Sequence, residues 1–306
     1  MRKFILRSLA FLIPAILVLA AVEAYVRQLP NTYRYKDEWM WKNGHRVNTI
    51  VLGNSHAYYG IIPSVLGDSV FNLSNVSQRL EHDYFLLTRY ASACQHLSRV
   101  VMVVDNSCLF DPPMEDDEPA RVAYYQIYMG YHKHSPLSQY GFEMASMTYF
   151  WQKLIWQWQG DGIFCDSLGW GNDYVLANRN PDDFLDKNIR EHRFRDWNTT
   201  CCNRHYLDSI AEWCRKHHIR LTCIQTPVSM AYTRKASVWQ LRFVNEVADS
   251  ICLRYGAQAY DYSQDARFAD ADFFDSDHLN DQGAKKFSEI LRMDMARHQM
   301  HRDVTK

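Results

Sequence analysis

The chain lacks a net charge of either sign: 34 Lys and Arg against 35 Asp and Glu leave a formal balance of −1. Near-neutrality argues against an electrostatic nucleic-acid binder, which carries a basic patch or stripe. Internal repeats and low-complexity tracts are missing too, so neither a solenoid nor a biased linker organises the chain. Zinc spacing is also absent. The eight cysteines (94, 108, 165, 201, 202, 214, 223 and 252) contain no C-x-x-C, and adjacent Cys201 and Cys202 cannot supply that geometry. What the chain has in quantity is aromatic and apolar sequence, with 19 Tyr and 9 Trp in 306 residues. That is ample for the core of one large domain or two small ones.

The first 26 residues read as a membrane-targeting segment. Arg2, Lys3 and Arg7 precede an uncharged stretch from Ser8 to Val22. Positive charge ahead of an apolar run keeps the N-terminus cytoplasmic and exports the rest of the chain. The run is short beside the ~20 residues of a spanning helix, although Phe4-Ile5-Leu6 and Tyr25-Val26 extend it. A cleavage site of small residues could lie at Val22-Glu23-Ala24; Pro14 and Glu23 fit neither pattern, and an uncleaved anchor is the favoured reading. An exported chain would hold its cysteines in an oxidising compartment. Spacing alone assigns no pairs, and Cys223, inside an apolar run, suits a small core position equally well.

Residues 27–46 are polar and aromatic and read as a linker. A domain is expected over 47–298. Val47–Leu52 and Arg99–Val104 are continuous apolar runs, Phe71–Leu73 a shorter one, and Arg220–Gln225 a fourth, stopped by Thr226-Pro227; Ala257–Tyr262 is a candidate last strand. Helical spacing marks Glu81–Leu97, Arg204–His217, Ser237–Tyr255 and Asp281–Arg297. Apolar strands alternating with helices predict an α/β fold, a three-layer α/β/α sandwich with a mainly parallel sheet covered on both faces. Pro112-Pro113 and the acidic run 115–118 interrupt that rhythm. An aromatic-rich insertion is expected at about 111–200, helical to 160 and mostly loop beyond.

Two short strings carry chemistry. Gly53-Asn54-Ser55-His56 leaves the first strand where open α/β sheets place ligands. Asp275-Ser276-Asp277-His278 precedes the last helix and offers a carboxylate and an imidazole three residues apart. A serine hydroxyl needs a base to take its proton and donors to hold the oxyanion. His278 is the candidate base, Ser55 the candidate nucleophile and Asp275 the orienting acid. Asp277 competes for the last role, but an immediate neighbour usually projects elsewhere. The plainer readings are that Ser55 caps the helix after the strand, that Asp275 caps the last helix, and that His56 is a loop residue or a substrate contact. Asp105 either binds a ligand hydroxyl or ends its strand. Trp151, Trp156, Trp158 and Trp170 fit core or lid packing better than sugar stacking.

With G-x-S after the first strand and D-x-x-H near the end, residues 47–295 resemble the SGNH (GDSL-like) hydrolase superfamily. Gly-x-Ser-His together with His278-Leu279-Asn280 and Gly283-Ala284 looks most like its membrane-anchored members: DltD-like proteins, alginate-acetylation proteins and the SGNH domains of polysaccharide O-acyltransferases. The resemblance implies a serine esterase or O-acyltransferase acting on acyl esters of envelope glycans. It would be anchored by its N-terminal helix, face the periplasm or cell exterior, work with other envelope acylation proteins, and need no cofactor and no metal. The family's oxyanion hole adds a Gly and the Asn of a G-x-N-D block. This chain has no G-x-N-D, leaving Asn72, Asn75 and Asn106 as the available amide donors. A catalytically inactive glycan-binding or scaffold protein, a lipid- or thioester-directed esterase, and a structural envelope protein are the rival readings.

Overall fold

The structure is a computed structural model that describes residues 1–185, 187, 189 and 192–304, with the side chains at 2, 6, 8 and 298–304 excepted. Residues 186, 188, 190 and 191 of the expected insertion therefore lie outside the described residues. The first half of the chain forms α1 (Arg2–Gln28), α2 (Thr32–Asn43), β1 (Thr49–Leu52), α3 (Ser55–Gly60), α4 (Pro63–Leu66), β2 (Val70–Asn72), α5 (Leu80–Tyr90), β3 (Arg99–Val103) and α6 (Asn106–Phe110). Beyond these come α7 (Met114–Asp117), α8 (Pro119–Tyr128), α9 (Met147–Gln159), α10 (Trp197–Lys216), β4 (Arg220–Gln225), α11 (Met230–Lys235), α12 (Val238–Tyr255), β5 (Gln258–Asp261) and α13 (Asp281–Val304).

These elements fall into two compact units, one of Met1–Asp37 and Glu118–Phe164, the other of Glu38–Asp117 and Cys165–Lys306. The larger unit is built on five parallel strands in the order β2-β1-β3-β4-β5. Side chains alternate across a strand. Val51, Val101, Val103 and Ile224 therefore share one face, packed on Ala57 and Ile61 of α3 and on Phe287, Leu291 and Met295 of α13. Ile50, Val100, Met102 and Cys223 are buried on the other face, where α10 packs with α5, α6 and α12. Both faces are covered, so the strands are apolar throughout rather than alternating. This is the α/β sandwich the sequence predicts. The strand order reverses direction between β1 and β3, and the crevice at the carboxyl ends of those strands is where such sheets hold ligands.

In the smaller unit the last turns of α1 pack on α9, where Val26, Leu29 and Phe150 form a cluster with Val22, Met144 and Leu154. Tyr33 meets the rings of Tyr124 and Tyr125 at 5.1 Å each. Lys153 turns inward to Glu143 at 2.9 Å and to the Tyr128 hydroxyl at 2.6 Å.

Three segments differ from their expected form. Residues 27–46 are helical rather than a linker: α1 runs to Gln28, and α2 buries Tyr33, Lys36 and Met40, side chains at a three-to-four residue spacing that a polar composition obscures. The 111–200 stretch is not one insertion, because 118–164 groups with the N-terminal residues and 165–200 with the sheet. Finally, α10 begins at Trp197, where the Asp196 carboxylate accepts the Thr199 N–H at 2.8 Å and caps the helix. All eight cysteines are free thiols, five of them buried.

Candidate active site

The turn after β1 is dictated by Gly53. Its φ of +130° suits glycine, and a Cβ there would sit 3.0 Å from that of Val103 and 3.2 Å from that of Ala57. Its N–H donates to Asp83 Oδ1 at 2.9 Å. Asn54 then caps α3, its Oδ1 accepting the His56 N–H at 3.0 Å, while its Nδ2 donates to both oxygens of Asp105 at 3.0 Å. Because Asn54 takes the capping role, the Ser55 hydroxyl is left for another partner. That partner is His278, whose Nε2 lies 2.7 Å from Ser55 Oγ.

His278 stands on a tight loop closed by a Phe273–Leu279 bridge and by the Phe274 N–H donating to the His278 carbonyl at 2.8 Å. Asp275 holds it from within. Oδ1 accepts the N–H groups of Asp277 and His278 at 3.0 and 2.8 Å, and both oxygens lie 3.0 Å from Nδ1. Asp277 approaches the same nitrogen only to 3.5 Å. With Nδ1–H donating to Asp275, Nε2 is the acceptor for the Ser55 hydroxyl. The last helix is capped by Asn280, whose Oδ1 accepts from Gln282 and Gly283 at 3.0 and 2.9 Å, so Asp275 has no capping duty there. Tyr59 and Tyr174 stack at 3.6 Å and turn their faces at right angles to the His278 ring, 5.8 and 5.5 Å away.

Behind His278 runs a buried chain of alternating charge. His56 is not a loop residue: it sits in α3, 5 % exposed, with Nδ1 2.6 Å from Asp105 and Nε2 3.4 Å from Asp277. Asp277 also faces His192 Nε2 at 3.7 Å, and His192 Nδ1 is 2.9 Å from Asp111. Arg79 closes the chain on Asp111 at 3.2 Å. Burial alone would lower both imidazoles' pKa values. The flanking carboxylates outweigh it, raising His56 to about 10 and His192 to about 9. Against its own burial, Asp277 is held well below the ordinary carboxylate range by His278, His192 and His56. Burial raises Asp83 to about 7 despite the bonds it accepts from Gln78 and Gly53. Among the described residues one group, His56, Asp277 and His278, brings metal-ligand-type atoms within 4.8 Å of one another. Each of these side chains already faces an opposite charge or Ser55, so ion pairing accounts for their closeness.

The three amide candidates fare differently. Asn72 is not available as an oxyanion donor: Nδ2 donates to the Ala57 and Ile61 carbonyls at 2.9 and 3.0 Å, and Oδ1 accepts from Ser74. It ties β2 to α3 instead. Asn75 Nδ2 lies 3.5 Å from Gln78 Oε1. Asn106 opens α6 at the end of β3; its Nδ2 is 3.5 Å from the Tyr232 hydroxyl, and its buried Oδ1 has no hydrogen-bond partner among the described residues. Asn106 also lines a cavity of about 270 Å³ with His192, Arg193, Tyr232, Lys235 and Trp239. Asp105 does more than end β3: it braces Asn54 and His56 and caps α6 through the Cys108 N–H.

Sequence reasoning passed over Asn54, Asp83, His192 and Tyr174. Asp83 left a readable signal, a carboxylate on the core-facing side of α5 among Leu80, Leu87 and Tyr90, where burial needs a partner. His192 lies in a segment without periodicity and left none. Comparison with protein-family models and with curated proteins finds no match to this chain.

Proposed function

We propose that this protein is a membrane-anchored serine esterase or O-acyltransferase acting on acyl esters of envelope glycans or related polymers. The observation that carries the reading is the continuous line from Ser55 Oγ through His278 to Asp275, at 2.7 and 3.0 Å. In this scheme His278 Nε2 takes the Ser55 proton as Oγ attacks the ester carbonyl carbon, and Asp275 stabilises the imidazolium. The tetrahedral intermediate collapses, His278 returns the proton to the departing alcohol, and the acyl group stays on Ser55. Water in an esterase, or a glycan hydroxyl in a transferase, then gives its proton to His278 and attacks the acyl carbon, restoring Ser55.

The anchoring half of the reading rests on Lys3–Gln28, a helix long and apolar enough to cross a membrane. Arg2, Lys3 and Arg7, ahead of its uncharged run, orient the remainder to the outside, where envelope glycans and other acylation proteins would meet it. Asn106 is the amide best placed to supply an oxyanion donor, given that Asn72 is committed to backbone carbonyls. The loss of Asn72 also favours a second reading, an inactive glycan-binding or scaffold protein.

Labelling of the full chain with a fluorophosphonate probe separates the two. The proposal expects labelling of the wild type and none of Ser55→Ala, with His278→Ala strongly reduced. Folded wild-type protein that takes no label would overturn it in favour of the binding module.

A further inference from the structure

Four side chains of α9 point away from the smaller unit: Met147, Trp151, Ile155 and Trp158 are 52, 57, 47 and 87 % exposed. Their spacing of four, four and three residues puts them on one side of the helix. Phe150 and Lys153 turn inward, and Leu154 borders the strip on the side that packs inward. The sequence of α9 contains one charged residue, Lys153, and that one is buried against Glu143. The exposed surface of α9 is therefore uncharged: Thr148, Gln157 and Gln159 flank the strip, and the four apolar and aromatic side chains within it make a patch of the kind soluble surfaces avoid.

The inward side packs against α1. The cluster of Val22, Val26, Leu29, Met144, Phe150 and Leu154 fixes α9 against the last turns of that helix. Glu23, which suits neither a span nor a cleavage site, is the hinge of the contact. Its carboxylate accepts the Arg27 Nε–H at 2.7 Å and the N–H groups of Glu143 and Met144, just ahead of α9, at 2.9 and 3.1 Å. Phe4–Val22, uncharged but for Arg7, precedes Glu23 and makes roughly 30 Å of helix, the thickness of a hydrocarbon core. Glu23 thus falls where the core ends, and α9 is tied to that level.

We propose that α9 lies in the headgroup region of the bilayer that α1 crosses, with Met147, Trp151, Ile155 and Trp158 as its lipid-facing side. Tryptophan favours that boundary, where its ring is apolar and its N–H is wet. Without exposed Lys or Arg on the helix, attachment depends on apolar burial and is indifferent to anionic lipid and salt, unlike a basic amphipathic helix. The inference rests on α1 spanning the membrane and is independent of the chemistry at Ser55.

The test reconstitutes the full chain into phosphatidylcholine vesicles with and without bromine on the acyl chains and reads tryptophan emission. No tryptophan lies in α1, so quenching reports residues of the folded units. In the wild type, Trp151 and Trp158 are two of nine tryptophans, and bromolipid should remove roughly a fifth of the emission if both reach the acyl boundary. Trp151→Phe/Trp158→Phe should lose most of that quenching while keeping its thermal unfolding midpoint. Met147→Ser/Ile155→Ser, which retains both tryptophans, should be quenched less than the wild type. Added salt or anionic lipid should change none of this. Protein that resists carbonate extraction yet shows no quenching, or equal quenching in the wild type and the double Phe variant, overturns the inference while leaving the anchor standing. Release by carbonate removes the anchor and the inference with it, and leaves the fluorophosphonate result untouched.

Discussion

In the larger unit, charge is what lies hidden. Asp105, His56, Asp277, His192 and Asp111 alternate in sign through the interior beside the Ser55–His278 pair. In the smaller unit, the buried Lys153–Glu143 pair belongs to a helix that turns tryptophans outward. Ordinary domains bury apolar groups and show charged ones, so each unit departs from the rule in its own direction. Buried charge is costly and is retained where its field is used, as around a base that must change protonation. Exposed aromatic surface is retained where something other than water covers it.

The comparison breaks most visibly at the base. Asp275→Asn should lower kcat about 10⁴-fold, as the loss of a triad acid does, measured with a nitrophenyl ester. Asp277→Asn should act chiefly on folding instead, by leaving His56 and His192 buried without their shared counter-charge. Unmaking a buried pair costs about 3–5 kcal/mol, read by urea unfolding. If Asp277→Asn matched Asp275→Asn in activity and left stability unchanged, the two carboxylates would have the reverse roles.

Lys153→Met sharpens the contrast from the other side. It strands Glu143 and should cost stability on the same scale of about 3–5 kcal/mol, yet fluorophosphonate labelling of Ser55 should persist in the folded fraction. Loss of labelling in protein that remains folded would tie this pair to the site at Ser55 and break the comparison.

The last of these effects is set by pH. His56 and His192 are raised from 6.5 to about 10 and about 9. Their contribution is complete below pH 6.5 and is lost as pH climbs through 9 to 10, on the order of a few kcal/mol. Asp83, raised to about 7, adds a loss of the same sign between the ordinary carboxylate range and pH 7. Unfolding free energy should therefore fall steadily from pH 6 to 10, and Asp277→Asn should flatten the alkaline part of that fall.

Much of the sheet is legible before folding, since runs such as Val100–Val104 and Leu221–Ile224 are apolar on both faces and have one use. Gly53, Ser55, Asp275 and His278 stand out because motif and strand end coincide. The partnerships of Asp277 escape sequence reasoning, because His56 and His192 reach it from far along the chain and local spacing says nothing of that meeting. Asn72 misleads for the opposite reason: it leaves a strand end like a ligand-binding amide, while Ala57 and Ile61 already use both of its hydrogens. The polar segment 32–43 hides a helix because its burial involves only a few residues, Met40 among them.

The bonds Asp275 makes to two backbone N–H groups and to the ring of His278 bear on timing. One carboxylate fixes both the loop and the imidazole it carries, so the ring has few orientations left to search. In the proposed reaction the entropy of aiming His278 would be lost once, when the chain folds, and not again at each encounter with an ester.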